Sequence, residues 1–454
     1  MKANPLARLR PAGLAALALL LLAGCATYGD IANRPGAVAG AARYTLGSHP
    51  TGGRSDDVTL LLAFSGGGTR AAALAYGVLE ELRDTVVRID GRPHRLLDEV
   101  DVISAVSGGS FTAAYYGLRG DAMFADFEPA FLRRDIGGEL VHSVFNPATW
   151  FSKRARTETA VEFYEDSVFK GATFGDLQRQ PGPLIVINAS DLGGGVRFSF
   201  LQEYFDLLCS DLSAFPVARA VTASSAVPVL FNPVVLENYP GCRPSGEGWL
   251  DAAEQAAQRS PQMAQVVDGL KSYQDKDRRR YIHLVDGGIT DNLGLRALYD
   301  FTEIAGGAQA LLFRLGRQPA ARVVVISVNA ATDTASALEQ SNQTPSIEQT
   351  VAAVTDVQLH LYNAATLELV QDGLRRWSAA LSTPQRPVSA YLVDVGFDSI
   401  ATPARRQFFN DIPTSFTLTA EQVDALIAAG RELLRGNAEY RRFLADLDGP
   451  RPPP

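Results

Sequence analysis

The sequence predicts an α/β fold with a largely parallel central sheet and helices on both faces. Three observations predict it. Unbroken apolar runs of strand length recur along the 454 residues. Apolar patterns at helical spacing separate them. The motifs with reactive side chains fall where an apolar run ends. A parallel sheet covered on both faces reads as continuous Val, Ile and Leu, and such sheets gather function at the carboxyl ends of their strands. Hydrophobic residues make up 46% and charged residues 20%, which is enough apolar material for a large core. The net charge of −8, from 42 basic and 50 acidic residues, and the lack of a long basic run argue against nucleic acid as a partner.

The amino terminus stands apart. Lys2, Arg8 and Arg10 precede "PAGLAALALLLLAGC", whose apolar stretch of about ten residues is short of the roughly 20 that span a bilayer. This is the layout of an export signal over residues 1–24; an uncleaved membrane anchor is the alternative. "LAGC" (Leu22 to Cys25) resembles a bacterial lipobox, which implies cleavage before Cys25 and lipidation of its thiol. Ala26 rather than Asp follows, and that resembles outer-membrane sorting in a Gram-negative bacterium, with the protein facing the periplasm. Lipidation of Cys25 leaves an even pair, Cys209 and Cys242, for a disulfide in an oxidising compartment; two buried free thiols are the other reading. Residues 25–57, rich in Gly, Ala and polar side chains without periodicity, read as a tether.

From Val58 the alternation begins. "VTLLLAFS" is an apolar strand; Ala71, Leu74, Ala75, Val78, Leu79 and Leu82 then recur at helical spacing. "VDVISAVS" (Val100 to Ser107) is a second strand, followed by the helical "FTAAYYGL". "PLIVINAS" (Pro183 to Ser190), "YIHLVD" (Tyr281 to Asp286), "RVVVISVNA" (Arg322 to Ala330) and "SAYLVDVGF" (Ser389 to Phe397) are further buried strands. Residues 435–454 read as a helix end and a frayed tail, because "DGPRPPP" cannot continue a helix.

Three strand-end motifs carry chemistry. "SGGGTR" (Ser65 to Arg70) turns sharply into a helix, whose N-terminus offers unpaired N–H groups and partial positive charge. Its chemistry is anion stabilisation, with Arg70 adding full charge or bracing the loop. The spacing Gly66-x-Gly68-x-x-Ala71, with Asp90 downstream, also satisfies a dinucleotide fingerprint, so a nucleotide-binding oxidoreductase stays open, as does a structural turn. In "ISAVSGGSF", Ser107 lies where strand meets helix, with Ala105 two residues before and Gly109 two after. This approximates the nucleophile elbow G-x-S-x-G; Ser104 and Ser110 lack small residues at both positions, and an N-cap serine is the plainer alternative. In "HLVDGGITDN", Asp286 ends a strand before Gly287 and Gly288, a pattern that a simple turn also produces.

The base for Ser107 is the next question. The five histidines are His49, His94, His142, His283 and His360. None has the downstream loop setting usual for a triad base, so a dyad with the Asp286 carboxylate is the economical solution.

Taken in order, "GGGTR", "AVSGG" and "DGG" resemble the bacterial patatin-like phospholipase family. The blocks Ile187 to Phe200 and Ala218 to Val234 fit as well, and "IPTSFTLTAEQVDALIAAGRELL" is similar to the tail of its lipoprotein members. The resemblance spans residues 58–434, the acyl hydrolase domain. It implies a three-layer α/β/α fold and a Ser107–Asp286 dyad. It also implies an oxyanion hole at Gly66, Gly67 and Gly68 with Arg70 beside it. Ala105 departs from the family's glycine and could strain the elbow. The implied reaction is ester hydrolysis through an acyl-enzyme on membrane phospholipid or lysophospholipid, with no metal or cofactor. A patatin-fold lipoprotein scaffold without activity is the alternative. "FNPATWFSKRAR" (Phe145 to Arg156) mixes aromatic and basic residues in a way that suits an anionic interface, or a solvated helix end over core aromatics.

Overall fold

The computed structural model describes residues 29–36, 43–47, 53–89, 91–138, 156–228, 230–242, 247–333 and 342–448. The export segment, Cys25, Asp90 and residues 145–155 of the aromatic–basic stretch lie outside the described residues.

The strands are β1 (Val58–Phe64), β2 (Val86–Ile89), β3 (Arg92–Arg95), β4 (Val100–Val106), β5 (Leu184–Asp191), β6 (Val196–Ser199), β7 (Val234–Glu237), β8 (Tyr281–Val285), β9 (Arg322–Asn329) and β10 (Ser389–Gly396). Among the described residues, eight of them form one sheet in the order β10-β9-β1-β4-β5-β8-β7, with β6 also on β5; β2 and β3 form a separate hairpin. β10, β9, β1, β4 and β5 run parallel. β6 and β8 pair antiparallel with β5, and β7 with β8. The fold is therefore α/β with a mostly parallel central sheet flanked by helices.

Helices α1 (Gly68–Asp84), α2 (Gly108–Arg119), α3 (Val217–Ser224), α4 (Ile347–Leu381), α5 (Ala420–Gly436) and α6 (Ala438–Asp448) bear on the site. α1 is buried almost all round, with its Ala, Leu and Val side chains in the core, as expected of a helix sandwiched between sheet and helix. It lies so close to α5 that a Cβ at Gly77 would come within 2.1 Å of the Ile427 carbonyl oxygen. The carboxyl-terminal region thus braces the helix that opens on "SGGGTR". No helix among the described residues is long and apolar enough to cross a membrane.

Two boundaries differ from the sequence reading. The segment read as a tether is in part built into the body. Ile31 bridges to Val235, and Asn33 pairs in both directions with the backbone of Glu237 (2.9 and 2.8 Å). Buried Tyr44 exchanges hydrogen bonds with the Ile185 backbone (3.0 and 2.9 Å). Anchoring by single side chains leaves no periodicity to read. At the other end, α6 is a packed helix with Tyr440 and Phe443 buried, rather than the start of a tail. Cys209 and Cys242 are joined in a disulfide with 5.5 Å between their Cα atoms.

Candidate active site

The glycine bend, the Ser107 turn and the Asp286 turn meet at one place, and the sheet explains why. β5 overshoots the end of β4: Val106 pairs with Asn188, and β5 continues to Asp191. β8 returns antiparallel, with Val285 opposite Ser190. The residues that follow β8 reach the level where β4 ends, and a Cβ at Gly287 would lie 2.4 Å from the Asn188 carbonyl oxygen and 2.9 Å from Val106. Antiparallel β8, which the sequence does not announce, therefore carries Asp286 to Ser107. The Ser107 hydroxyl donates to Asp286 Oδ2 at 2.8 Å across 179 residues of chain.

Ser107 caps the start of α2 with φ 48° and ψ −122°. A non-glycine residue there stores on the order of 1–3 kcal/mol, and such strain collects at functional sites. Its N–H donates to Ser224 Oγ (2.8 Å), whose hydroxyl donates to the Asn188 carbonyl (2.6 Å). This chain of bonds ties the elbow to α3 and to β5. Ala105 does not carry the strain: it sits in regular β4 pairing opposite Phe64 and Ile187, with no positive φ. Gly109 is where side-chain volume is refused, since a Cβ would lie 2.7 Å from both Phe64 Cβ and the Ser65 carbonyl oxygen. The rival serines are occupied: Ser104 donates to the Gly294 carbonyl and Ser110 to the Ser107 carbonyl.

Asp286 accepts twice, from Ser107 and, at Oδ1, from the Gly288 N–H (2.8 Å). Burial pushes its carboxyl up to about 6, against the lowering effect of those two bonds. His94 bonds to Glu99 (2.8 Å), and the acceptor of the Ser107 hydroxyl is the carboxylate.

The glycine bend departs from the expected oxyanion set at two residues. The Gly66 N–H donates to the Asn292 carbonyl (3.0 Å), so it is engaged in holding the Asp286 turn. Arg70 is buried and bonds to the carbonyls of Ala330 and Ile412 and to Thr414 Oγ1. It latches the carboxyl-terminal loop onto the bend. Three backbone and hydroxyl acceptors at fixed angles suit a guanidinium fork, which explains why it turns there. The same loop accepts the Thr69 N–H at Ser415 (2.8 Å). Gly67 and Gly68 remain as donors at the opening of α1, where the first N–H groups have no partner one turn back. Gly68 has φ +60°, and a Cβ on it would lie 2.5 Å from the Ser415 carbonyl oxygen. On the other side, a Cβ on Gly108 would lie 2.0 Å from the Gly68 carbonyl oxygen. The bend is packed backbone to backbone between elbow and loop, and the N-termini of α1 and α2 open side by side on Ser107. The arrangement favours negative charge there. Ser224, Asn292 and the 412–415 loop are supporting residues to which the sequence reading gave no role. Asn292 stands in the same "DGGITDN" motif as Asp286, Ser224 lies in the block Ala218 to Val234, and Ile412 to Ser415 open "IPTSFTLTAEQVDALIAAGRELL", but nothing local says what each of them holds.

A family model described as patatin-like phospholipase matches residues 62–299, a span that holds all three motifs. No curated protein matches the sequence. Among solved structures, human GIVD cytosolic phospholipase A2 in complex with methyl gamma-linolenyl fluorophosphonate is similar at 14% identity and a TM-score of 0.40. That similarity covers 87% of this chain and 59% of the human chain. VipD from Legionella pneumophila is similar at 12% identity and a TM-score of 0.34, over 86% of this chain and 67% of VipD.

Proposed function

The chain belongs to the patatin-like phospholipase family, and from that premise we propose that it hydrolyses acyl esters of membrane lipids, phospholipid or lysophospholipid, with Ser107 as nucleophile and Asp286 as base. The observation that carries the reading is the 2.8 Å hydrogen bond from Ser107 Oγ to Asp286 Oδ2. In the first step the hydroxyl proton passes to Oδ2 while Oγ bonds to the ester carbonyl carbon. The carbonyl electron pair moves onto oxygen, beside the Gly67 and Gly68 N–H groups. Losing one such donor typically costs on the order of 100- to 1000-fold in rate. Collapse expels the alcohol, which takes the proton from Asp286. Water, giving a proton to the same carboxylate, then attacks the acyl carbon; the fatty acid leaves as Oγ departs, and Asp286 returns that proton to Ser107 Oγ. The raised carboxyl of Asp286 suits both directions of transfer, because a base poised near neutrality accepts and returns a proton readily.

Place follows from the amino terminus. Export, cleavage before Cys25 and lipidation of its thiol would put the enzyme on the outer membrane, facing the periplasm, where its substrate is at hand. The engaged Gly66 and the tight packing of the bend against Ser415 and Gly108 do not favour a dinucleotide.

Fatty-acid release from phospholipid and lysophospholipid vesicles tests the proposal. Wild type should release fatty acid, and Ser107→Ala and Asp286→Ala should each lose about a thousandfold or more. A wild type without activity across the panel would support the inactive scaffold instead.

A further inference from the structure

Exposed apolar side chains crowd around the Asp286 turn. Val227 is 40% exposed, Leu230 56%, Ile289 51% and Ile31 44%. They come from three separate segments that meet. The Asp286 N–H donates to the carbonyl of Ala226 (2.9 Å), one residue before Val227, and the Phe231 N–H closes a turn onto the Val227 carbonyl (3.1 Å). Ile289 directly follows the Asp286–Gly288 bend. Ile31 bridges to Val235, and a Cβ on Gly29 would touch Val235 and the carbonyl oxygen of Pro233, two residues past Phe231. On the other flank Val357 and Leu361 lie one turn apart on α4, 56% and 64% exposed. Asn363, two residues further, accepts from Asn292. Single exposed apolar residues are ordinary on a protein surface, but a group of them around a site opening marks an interaction surface.

The path of the chain identifies the occupant. Residues 31–36 are pinned to the body by the Ala32 N–H on the Val235 carbonyl (2.9 Å), by the Asn33–Glu237 pair, and by the Gly36 N–H on the Cys209 carbonyl (3.1 Å). Only Ala26, Thr27 and Tyr28 lie between the lipobox cysteine and Gly29. The four steps of chain from Cys25 to Gly29 span at most about 14 Å when fully extended. Acyl chains on Cys25 must reach the hydrocarbon of a leaflet, so a leash this short holds the Gly29–Val235 edge, with Val227 and Leu230 beside it, against the headgroups. A long flexible tether would leave the orientation free.

We propose that Ile31, Val227, Leu230 and Ile289 rest on the phospholipid leaflet that holds the Cys25 acyl chains, so that the Ser107–Asp286 site opens onto the membrane. The inference rests on Cys25 being lipid-bearing and deepens the hydrolase reading by assigning the face through which lipid enters. A substrate molecule then rises from the leaflet without crossing bulk water.

Two measurements test it. In the first, the full lipid-bearing chain with Ser107→Ala is placed in vesicles of phosphatidylethanolamine and phosphatidylglycerol containing a photoactivatable phosphatidylcholine. Irradiation should attach lipid within residues 29–36, 226–232 and 288–291. Attachment confined elsewhere, for example at Phe313, which is 85% exposed on the helix before β9, overturns the proposal. So does a Cys25 found without lipid by mass spectrometry. In the second, Ile31→Glu with Leu230→Glu in an otherwise unchanged chain should lower vesicle hydrolysis about tenfold, while hydrolysis of a soluble short-chain ester stays at the wild-type rate. Unchanged vesicle hydrolysis overturns the docking face. A wild type that cleaves neither substrate overturns the hydrolase reading instead, and photolabelling still decides the face.

Discussion

Asp286 sets the expected pH profile. Burial raises its carboxyl from 3.8 to about 6 despite the hydrogen bonds from Gly288 and Ser107. To receive the Ser107 proton it must be ionised in the free enzyme, and kcat/KM reports that ionisation. With an inflection at about 6, about a tenth of the molecules carry the ionised base at pH ~5 and nearly all at pH ~8. An ordinary aspartate, near ~3.9, would already be more than about nine-tenths ionised at pH ~5. The account therefore predicts that kcat/KM at pH ~5 is about a tenth of its value at pH ~8, where an unperturbed base would give about equal values. Initial rates on a soluble short-chain ester, measured well below KM, give the profile without interference from the vesicle surface. Asp291, also raised to about 6, is the control. Its Oδ2 accepts the Ala297 N–H (3.0 Å), so Asp291→Asn should keep the inflection. A profile flat down to pH ~5, or an inflection that disappears in Asp291→Asn, would refute the reasoning.

The same carboxyl has a stability signature. Its folded value lies above its unfolded one, so the fold favours the protonated form, and Asp286 weakens the protein as pH rises from about 4 through about 6. Asp286→Asn, inactive but still able to accept from Gly288, should be more stable than wild type by about 1–3 kcal/mol at pH ~8 and about equal at pH ~4, by chemical denaturation; a less stable variant at pH ~8 would contradict this. Gly68→Ala puts a Cβ 2.5 Å from the Ser415 carbonyl oxygen at φ +60° and should cost about 2 kcal/mol or more as well as activity, whereas wild-type stability would show that the bend has slack. Cys209→Ser with Cys242→Ser opens a loop with a sequence separation of 33, which the loop-entropy model values at about 3–4 kcal/mol. Reductant should lower the wild-type denaturation midpoint to that of the double variant, and a midpoint indifferent to reductant would count against the bond.

The parallel half of the sheet was legible because β5 is buried along its whole length and β1, β4 and β9 along most of theirs, so that they read as apolar runs, while β10 keeps a buried residue at every second position. Four-residue β6 and β7 are too short for a pattern to emerge, and strand direction leaves no mark in composition, so nothing announced that β8 runs antiparallel. Ser107 stood out because a tight elbow needs tiny neighbours, and Asp286 because two glycines follow it at a strand end. What the residues could not disclose is who holds them. Ser224 lies 117 residues from Ser107, and Arg70 reaches Ile412 and Thr414 across more than three hundred residues. Such contacts use backbone groups or common hydroxyls, so even inside a recognisable block nothing marks which partner they hold. Of the two roles read for Arg70, added charge or a brace for the loop, its bonds to Ala330, Ile412 and Thr414 match the brace. α6 was legible after all: Tyr440, Phe443 and Leu447 recur at helical spacing, but the prolines that follow drew the reading toward a tail.

Labelling with a fluorophosphonate, followed by peptide mapping, tests the pairing of Ser107 with Asp286 most directly. The reagent traps a serine only when a neighbouring base makes its hydroxyl nucleophilic. The account predicts a single adduct on Ser107 in the wild type, none in Ser107→Ala, and strongly slowed labelling in Asp286→Asn. An adduct on another serine, or labelling of Ser107 at an undiminished rate without the carboxylate, would contradict it.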